Sequence, residues 1–197
     1  MAIKPQLEKL FQPSKIGTIG IRNRIVMLPM GTEYGSEDGY VTNRLKDYYE
    51  ERAKGGVGLI IVEATCPDAP IGKSIVNQIC IDDDKFIPGL SELAHVIKKH
   101  GAKAGIQLQH NGLAGRVDIF AKVQPVGPSV VQRKGYFLGR ELTVPEIHDI
   151  ITRFARAAER AKRAGFDGVE IQGGHQYLVA QFLSRMWNKR RDNYGAS

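Results

Sequence analysis

An amide, an imidazole and a phenol fall close together late in the chain, at Gln172, His175 and Tyr177. An amide N–H and an imidazole can donate to a carbonyl oxygen and polarise it, and a phenol can deliver a proton. Gly173 and Gly174 separate the amide from the imidazole, so the backbone is free to turn sharply between them. Chemistry of this kind needs a rigid frame, and the residues before and after supply the pattern of one.

Gly168 to Gln172, G-V-E-I-Q, alternates apolar and polar residues after Asp167 and reads as a strand. It is the fourth of its kind. Ile25 to Pro29 is a continuous apolar run and the first buried strand; Gly58 to Thr65, G-L-I-I-V-E-A-T, is the second; Ala102 to His110 is the third. Short β-branched runs bounded by Gly or Pro suit parallel strands covered on both faces. Helices are expected between them. Thr42 to Gly55 carries Leu45, Tyr48, Tyr49 and Ala53 on one face, and Phe86 to His100 carries Phe86, Leu90, Leu93, Ala94 and Ile97 in phase. Thr143-Val144-Pro145-Glu146 predicts a capping box, opening a helix with Ile147, Ile150, Ile151, Phe154, Ala158 and Ala161 at the right spacing and Gly165 at its end. Lys9 to Asn23 predicts a small hairpin ahead of the main fold, Tyr177 to Leu183 a short helix, and Asn188 to Ser197 a polar turn. Asn111 to Leu142, which includes P-V-G-P-S, reads as a long Gly-rich connection without elements of its own.

Alternating strands and helices with right-handed crossovers make an α/β fold whose strands are parallel. In an α/β barrel the reactive groups sit at the C-terminal ends of the strands. Four strand ends then bring Met30-Gly31, Ala64-Thr65, Gln107 and Gln172 to one mouth. Small residues and backbone beside amides suit a planar heteroaromatic ligand, although Gln107 serves equally well, from the residues alone, to satisfy buried backbone groups. A closed (β/α)8 TIM barrel normally takes about 250 residues. The 197 residues here therefore supply an N-terminal hairpin and the first four βα units, and residues 1–197 are expected to be one domain that is half of such a barrel.

The composition narrows the function. No apolar run is long enough to span a bilayer, and Met1 to Gln12 lacks the apolar stretch of a signal peptide, so a cytoplasmic protein is expected. Cys66 and Cys80 form neither a disulfide framework nor a metal motif and read as two buried thiols; no metal site is expected. The net charge of +7 comes without basic and aromatic residues interleaved, which speaks against nucleic acid. Arg153, Arg156, Arg160 and Arg163 recur at helical spacing and read as a solvated face. Arg116, Lys122, Arg133, Lys134 and Arg140 all lie in the long connection, where they can meet an anionic substrate. His95, His100 and His148 read as surface residues, while His110 directly follows the third strand and is a weaker candidate for the mouth.

The string G-G-H-x-Y-L…F-L-S…N-x-R-x-D-x-Y-G-x-S, from Gly173 to Ser197, resembles the signature of the old yellow enzyme family of flavin oxidoreductases, close to its NADH:flavin oxidoreductase, enoate reductase and 2,4-dienoyl-CoA reductase branches. Several stretches agree with it, so the resemblance spans nearly the whole chain. It implies an FMN-dependent oxidoreductase that uses NADH or NADPH to reduce the activated C=C bond of an α,β-unsaturated carbonyl compound. By motif, Pro29, Met30 and Gly31 would line the flavin through backbone groups, Ala64 would contact its ring, and Gln107 would bond its pyrimidine edge. Relatives often carry Thr or Cys at the position of Gly31, and glycine cannot reproduce their hydrogen bond to the flavin. Gln172 and His175 align with the pair that holds the substrate carbonyl, usually His with His or Asn, and Tyr177 with the proton donor. From the residues alone a lone His at a strand end is more often structural, and Tyr177 packs under the loop as readily as it acts as an acid.

The resemblance also implies a [4Fe-4S] cluster and an FAD region beyond Ser197 in longer members, while the open apolar edges of a half-barrel lead us to expect self-association or a homo-oligomer. Two other readings stand beside it. An amine dehydrogenase of the same superfamily also lacks histidine at the first position of the pair, but its flavin-attaching cysteine has no clear counterpart here. The second is a catalytically inert half-barrel.

Overall fold

The computed structural model describes residues 7–114, 117–130 and 139–196. Its centre is a four-stranded parallel sheet in the order β3-β4-β5-β8, formed by Val26–Met27, Leu59–Thr65, Lys103–Leu108 and Gly168–Ile171. Helix α2 (Asn43–Lys54) connects the first pair, α3 (Ile87–Lys98) the second and α5 (Val144–Arg163) the third. Each strand neighbours the next parallel one with a helix between, which is the first half of a (β/α)8 barrel. Among the described residues no helix is long and apolar enough to cross a membrane.

The helices form where local chemistry asks for them. The Thr42 side chain caps α2 by accepting from Leu45 N at 3.2 Å. The Thr143–Glu146 capping box is present, with Thr143 N donating to Glu146 Oε2 at 2.8 Å and Glu146 N to Thr143 Oγ1 at 3.4 Å. Leu45, Tyr49 and Ala53 of α2, Leu90, Leu93, Ala94 and Ile97 of α3, and Ala157 and Ala161 of α5 close over Ile60, Val62, Ala104, Ile106 and Leu108 of the sheet in one apolar core. These strand residues alternate, so their odd neighbours Ile61, Gly105 and Gln107 face the other side, the barrel interior. Cys66 and Cys80 are free and buried in the same core.

The hairpin, β1 (Ser14–Ile16) and β2 (Ile19–Ile21), follows a short helix α1 (Glu8–Phe11) and closes the N-terminal end of the strands. Arg22 donates to the carbonyls of Val57 at 3.0 Å and His100 at 2.7 Å, and Asn23 to Gly56 O at 2.7 Å, each just before a strand begins.

Three expectations are corrected. The first strand is two residues long rather than five, because Pro29 has no N–H for the ladder and Leu28 is exposed. Its residues are only half-buried, and Val169 and Ile171 of β8 are exposed, because among the described residues each edge strand pairs on one side only. The long connection does have elements: a 3-10 turn at Gly112–Ala114, α4 (Val117–Phe120), and a parallel pair of β6 (Val126–Gly127) with β7 (Arg140–Glu141). Pairs of two residues are too short to register as periodicity.

The basic face of α5 is solvated as its spacing suggests, with Arg153, Arg156 and Arg163 exposed, and Arg160 and Arg163 both bond Asp84 there, at 2.8 and 2.9 Å.

Candidate active site

Strand β8 continues one residue past Ile171, with Gln172 N donating to Leu108 O at 3.0 Å. The chain then turns. Gly174 N donates to Gln172 Oε1 at 2.9 Å, and Tyr177 N donates to Gly174 O at 3.2 Å. His175 and Gln176 inside this turn have φ of 54° and 63°, two consecutive non-glycine residues in the left-handed region. Each costs on the order of 1–3 kcal/mol and persists only where its surroundings hold it. Helix α6 (Leu178–Leu183) follows, with Leu178 N bonded to His110 O at 3.0 Å.

The turn brings together the three residues the spacing singled out. Gln172 Nε2 lies 3.2 Å from His175 Nδ1, and the His175 and Tyr177 rings are 6.3 Å apart at 82°. Because Gln172 Oε1 already accepts from Gly174 N, the amide nitrogen faces the imidazole and must donate to it. In the neutral imidazole the proton therefore sits on Nε2, which leaves that nitrogen as a donor on an exposed ring. Gln172 keeps a second N–H, and Tyr177 is half-buried beside the pair.

The remaining strand ends hold the other expected residues. Pro29 is half-buried, Met30 is 56% exposed and Gly31 is exposed, all past the end of β3. Ala64 is half-buried at an irregularity between Val62 and Thr65, and its carbonyl accepts from Gln78 Nε2 at 3.0 Å. Gln107 is 5% exposed and donates to Glu170 Oε1 at 2.5 Å, from positions paired in register. β3 and β8 stand three inter-strand steps apart, roughly 14 Å at about 4.8 Å per step. No side chain spans that distance, whereas a planar ligand laid across the strand ends does.

One residue at these ends escaped the sequence reading. Glu63 is 1% exposed; Thr32 Oγ1 donates to its Oε2 at 2.7 Å, Tyr49 OH to the same oxygen at 3.2 Å, and Thr32 N to Oε1 at 3.3 Å. Burial pushes its carboxyl above the ordinary carboxylate value, and the Thr32 and Tyr49 bonds only partly offset this. Burial, then the nearby carboxylate, raises the Tyr49 phenol as well. An acid inside the apolar run I-I-V-E-A-T was the available signal, because a buried charge needs partners.

Other candidates are placed elsewhere. His110 is 2% exposed, and its Nδ1 accepts from Gly112 N at 3.1 Å. Its Nε2 lies 3.4 Å from Asp68, whose other oxygen is 3.4 Å from Arg153 on α5, so the ring faces the helix layer and not the mouth. Arg140 is committed to Glu146 through bonds of 2.6 and 2.9 Å, which hold the Glu146 carboxyl down to about 2 and raise the guanidinium further. It does not stand free for an anionic substrate. Lys122 is exposed, and Arg116, Arg133 and Lys134 lie outside the described residues.

The charged end of the signature is a clamp. Asn188 Nδ2 donates to the carbonyls of Phe182 and Tyr194, and Arg190 Nη1 to those of Pro128 and Leu142, tying the last turn to the β6–β7 pair. A cavity of about 470 Å³ lined by Ile147, Phe154, Ile171, Leu178 and Phe182 lies on the helix side of β8, opposite Gln172 by strand alternation, and is not the mouth.

Comparison with known proteins gives the family and the fold. The family described as NADH:flavin oxidoreductase / NADH oxidase matches residues 9–197. The chain is 49% identical over 191 residues to an NADH oxidase of Thermoanaerobacter brockii, covering 95% of this chain and 29% of that protein. It is 44% identical over 190 residues to an NADPH dehydrogenase of Geobacillus sp., covering 95% and 54%. Among solved structures, a 2-naphthoyl-CoA reductase in complex with 2-naphthoyl-CoA superposes with a TM-score of 0.92 at 33% identity, over 96% of this chain and 31% of the other. Morphinone reductase superposes at 0.88 and 30%, over 95% and 54%. The chain thus spans from under a third to just over half of the length of these proteins.

Proposed function

The chain belongs to the NADH:flavin oxidoreductase / NADH oxidase family, and from that premise we propose that it supplies the first half of a barrel carrying out FMN-dependent reduction of an activated C=C bond at the expense of NAD(P)H. The observation that carries this reading is the pairing of Gln172 with His175 at 3.2 Å, with Tyr177 beside them, at the end of β8.

The residues present fit a flavin. Met30 and Gly31 are exposed and Pro29 is half-buried past β3, Ala64 adds a small surface, and Gln107 is an amide whose orientation Glu170 fixes. Among the described residues its carbonyl and second N–H carry no other bond. An amide with one acceptor and one donor left suits a ring edge of alternating carbonyl and N–H groups. Pro29, Met30, Gly31, Ala64 and Gln107 would hold FMN, which supplies the hydride chemistry when bound.

This chain's own part is to orient and to donate. The Nε2–H of His175 is the donor left for a substrate carbonyl oxygen, where negative charge grows as the β-carbon is reduced, and Gln172, bonded to the other ring nitrogen, orients the ring. Donors aimed at a developing oxyanion contribute about 3 kcal/mol in comparable sites. The Tyr177 phenol gives its proton to the α-carbon. Because glutamine carries no charge at any pH, polarisation rests mainly on His175. Substrates are expected among enones, enoates and enoyl or aryl thioesters; the likeness to a reductase bound to 2-naphthoyl-CoA favours the thioesters. The edges of β3 and β8, unpaired among the described residues, are where more of the protein, or a second copy, would add strands to close the barrel.

The test begins with purified protein, to which FMN is added while flavin fluorescence and absorbance are followed. The complex is then reduced anaerobically with NADH or NADPH and mixed with an unsaturated ketone, an unsaturated acyl-CoA, an amine or dioxygen. The reading requires reoxidation by an unsaturated carbonyl faster than by dioxygen. Reoxidation by dioxygen alone, or reduction of the oxidised complex by an amine, would overturn it.

A further inference from the structure

Between His175 and Tyr177 lies the backbone carbonyl of Gln176, and it accepts from the side-chain amide of Gln181 at 2.6 Å. Gln181 is fully buried. Its Oε1 accepts from Leu113 N at 3.1 Å, and its Nε2 also donates to Asn111 O at 3.4 Å. With the oxygen fixed by Leu113, the nitrogen can only face the two carbonyls. Glycines make the room: a Cβ at Gly112, where φ is +61°, would overlap the amide, and one at Gly127 would stand 3.2 Å from its oxygen.

We infer that Gln181 is the positioning residue for His175 and Tyr177, its amide holding the peptide between them in the left-handed turn that sets both side chains. The turn is also held by Gly174 N donating to Gln172 Oε1 and by Leu178 N donating to His110 O. Its own backbone contributes the bond from Tyr177 N to Gly174 O, and Tyr177, the N-cap of α6, makes no side-chain cap. His175 and Gln176 both have a Cβ that disfavours positive φ. Asn111 and Leu113 belong to the segment after β5, so through Gln181 the reactive turn of β8 takes its position from the neighbouring strand's exit. An apolar side chain at 181 would take the partner from the buried Leu113 N–H and from the part-buried Gln176 carbonyl, and the peptide would rotate to find another.

This inference rests on His175 and Tyr177 being the reacting groups, but its first observable is conformational and does not depend on turnover. In ¹⁵N-labelled protein, the three-bond HN–Hα couplings of His175 and Gln176 report φ, and the imidazole ¹⁵N shifts of His175 report which nitrogen carries the proton. In Gln181→Met both couplings should leave their wild-type values and the Nδ1-acceptor signature should fade. Adding Gln176→Gly should return the His175 signals part of the way, since glycine takes positive φ without steric cost; a purely packing role for Gln181 would not be relieved this way. With FMN and an unsaturated carbonyl present, Gln181→Met should lower kcat at least tenfold with the KM for the nicotinamide unchanged. Should Gln181→Met fail to fold, Gln181→Asn, whose amide is one methylene short, carries the same comparison. Couplings and imidazole shifts that stay at wild-type values in a folded variant would overturn the inference, as would a change that Gln176→Gly does not relieve. A wild type without turnover sinks the functional reading and leaves the couplings to decide this one alone.

Discussion

Gln107 donates to Glu170 across 2.5 Å, from residues paired in register on β5 and β8 although 63 positions apart in sequence. Both face the barrel interior, so the bond joins the amide proposed to meet the flavin to the strand that ends in the donor pair. A hydrogen bond to a charged partner contributes about 1.5–3 kcal/mol. Glu170→Ala is expected to free the Gln107 side chain and weaken FMN binding about tenfold, since 1.4 kcal/mol corresponds to one decade. Fluorescence titration measures it. An unchanged Kd would separate Gln107 from the flavin.

His175 is the carbonyl donor in the proposed site, and Gln172 orients it. His175→Ala is expected to slow reoxidation by an unsaturated carbonyl about 10²–10³-fold, the usual cost of one lost donor to an oxyanion. Gln172→Leu should cost less in rate and shift the His175 imidazole ¹⁵N signals, because Nδ1 loses its 3.2 Å partner. Stopped-flow traces of the oxidative half-reaction give both rates. Equal losses in the reductive half-reaction would point to damaged flavin binding instead.

Tyr177 has no role in flavin reduction on this reading. Tyr177→Phe should therefore leave reduction by NADH untouched and slow the oxidative half by about 10²–10⁴-fold, the range for one positioned acid. A substrate that needs electrons but no proton on carbon, such as a quinone, should be indifferent to the change. Tyr177→Phe slowing both acceptors alike would return the residue to a packing role.

How far the sequence reaches depends on distance along the chain. Gln172, His175 and Tyr177 meet inside one turn, so their spacing alone places them together. The parallel strands and the capping box at Thr143 are equally local, read from apolar runs and from residues three apart. The partners that fix these groups are remote: Glu63 meets Thr32 across 31 residues, and Gln181 meets Leu113 across 68. Nothing in composition or periodicity pairs such residues. His110 was misread for a related reason. Beyond Leu108 the chain leaves strand geometry, and the Gly112 N–H takes the imidazole Nδ1, turning the ring toward Asp68.

Glu63 carries the last prediction, on stability against pH. Its folded-state value lies above the ordinary 4.5 because burial disfavours the carboxylate. The folded state thus holds the proton more tightly than the unfolded chain, so the contribution of Glu63 is fully present below about 4.5 and is lost as pH rises through the elevated value. Glu50 and Glu146 act the other way. Both are held down to about 2, by Lys99 and His100 and by Arg140 with Thr143, and what they contribute disappears as pH falls from 4.5 toward 2. The raw melting curve mixes these signs, and the difference between wild type and Glu63→Gln isolates one of them. A glutamine at 63 still accepts from Thr32 and has no charge to bury. The variant should gain on the wild type in Tm steadily as pH rises above 4.5, and the gap should close below it. A gap independent of pH would mean that Glu63 is ionised in the folded state at no cost, with Thr32 and Tyr49 fully replacing its water.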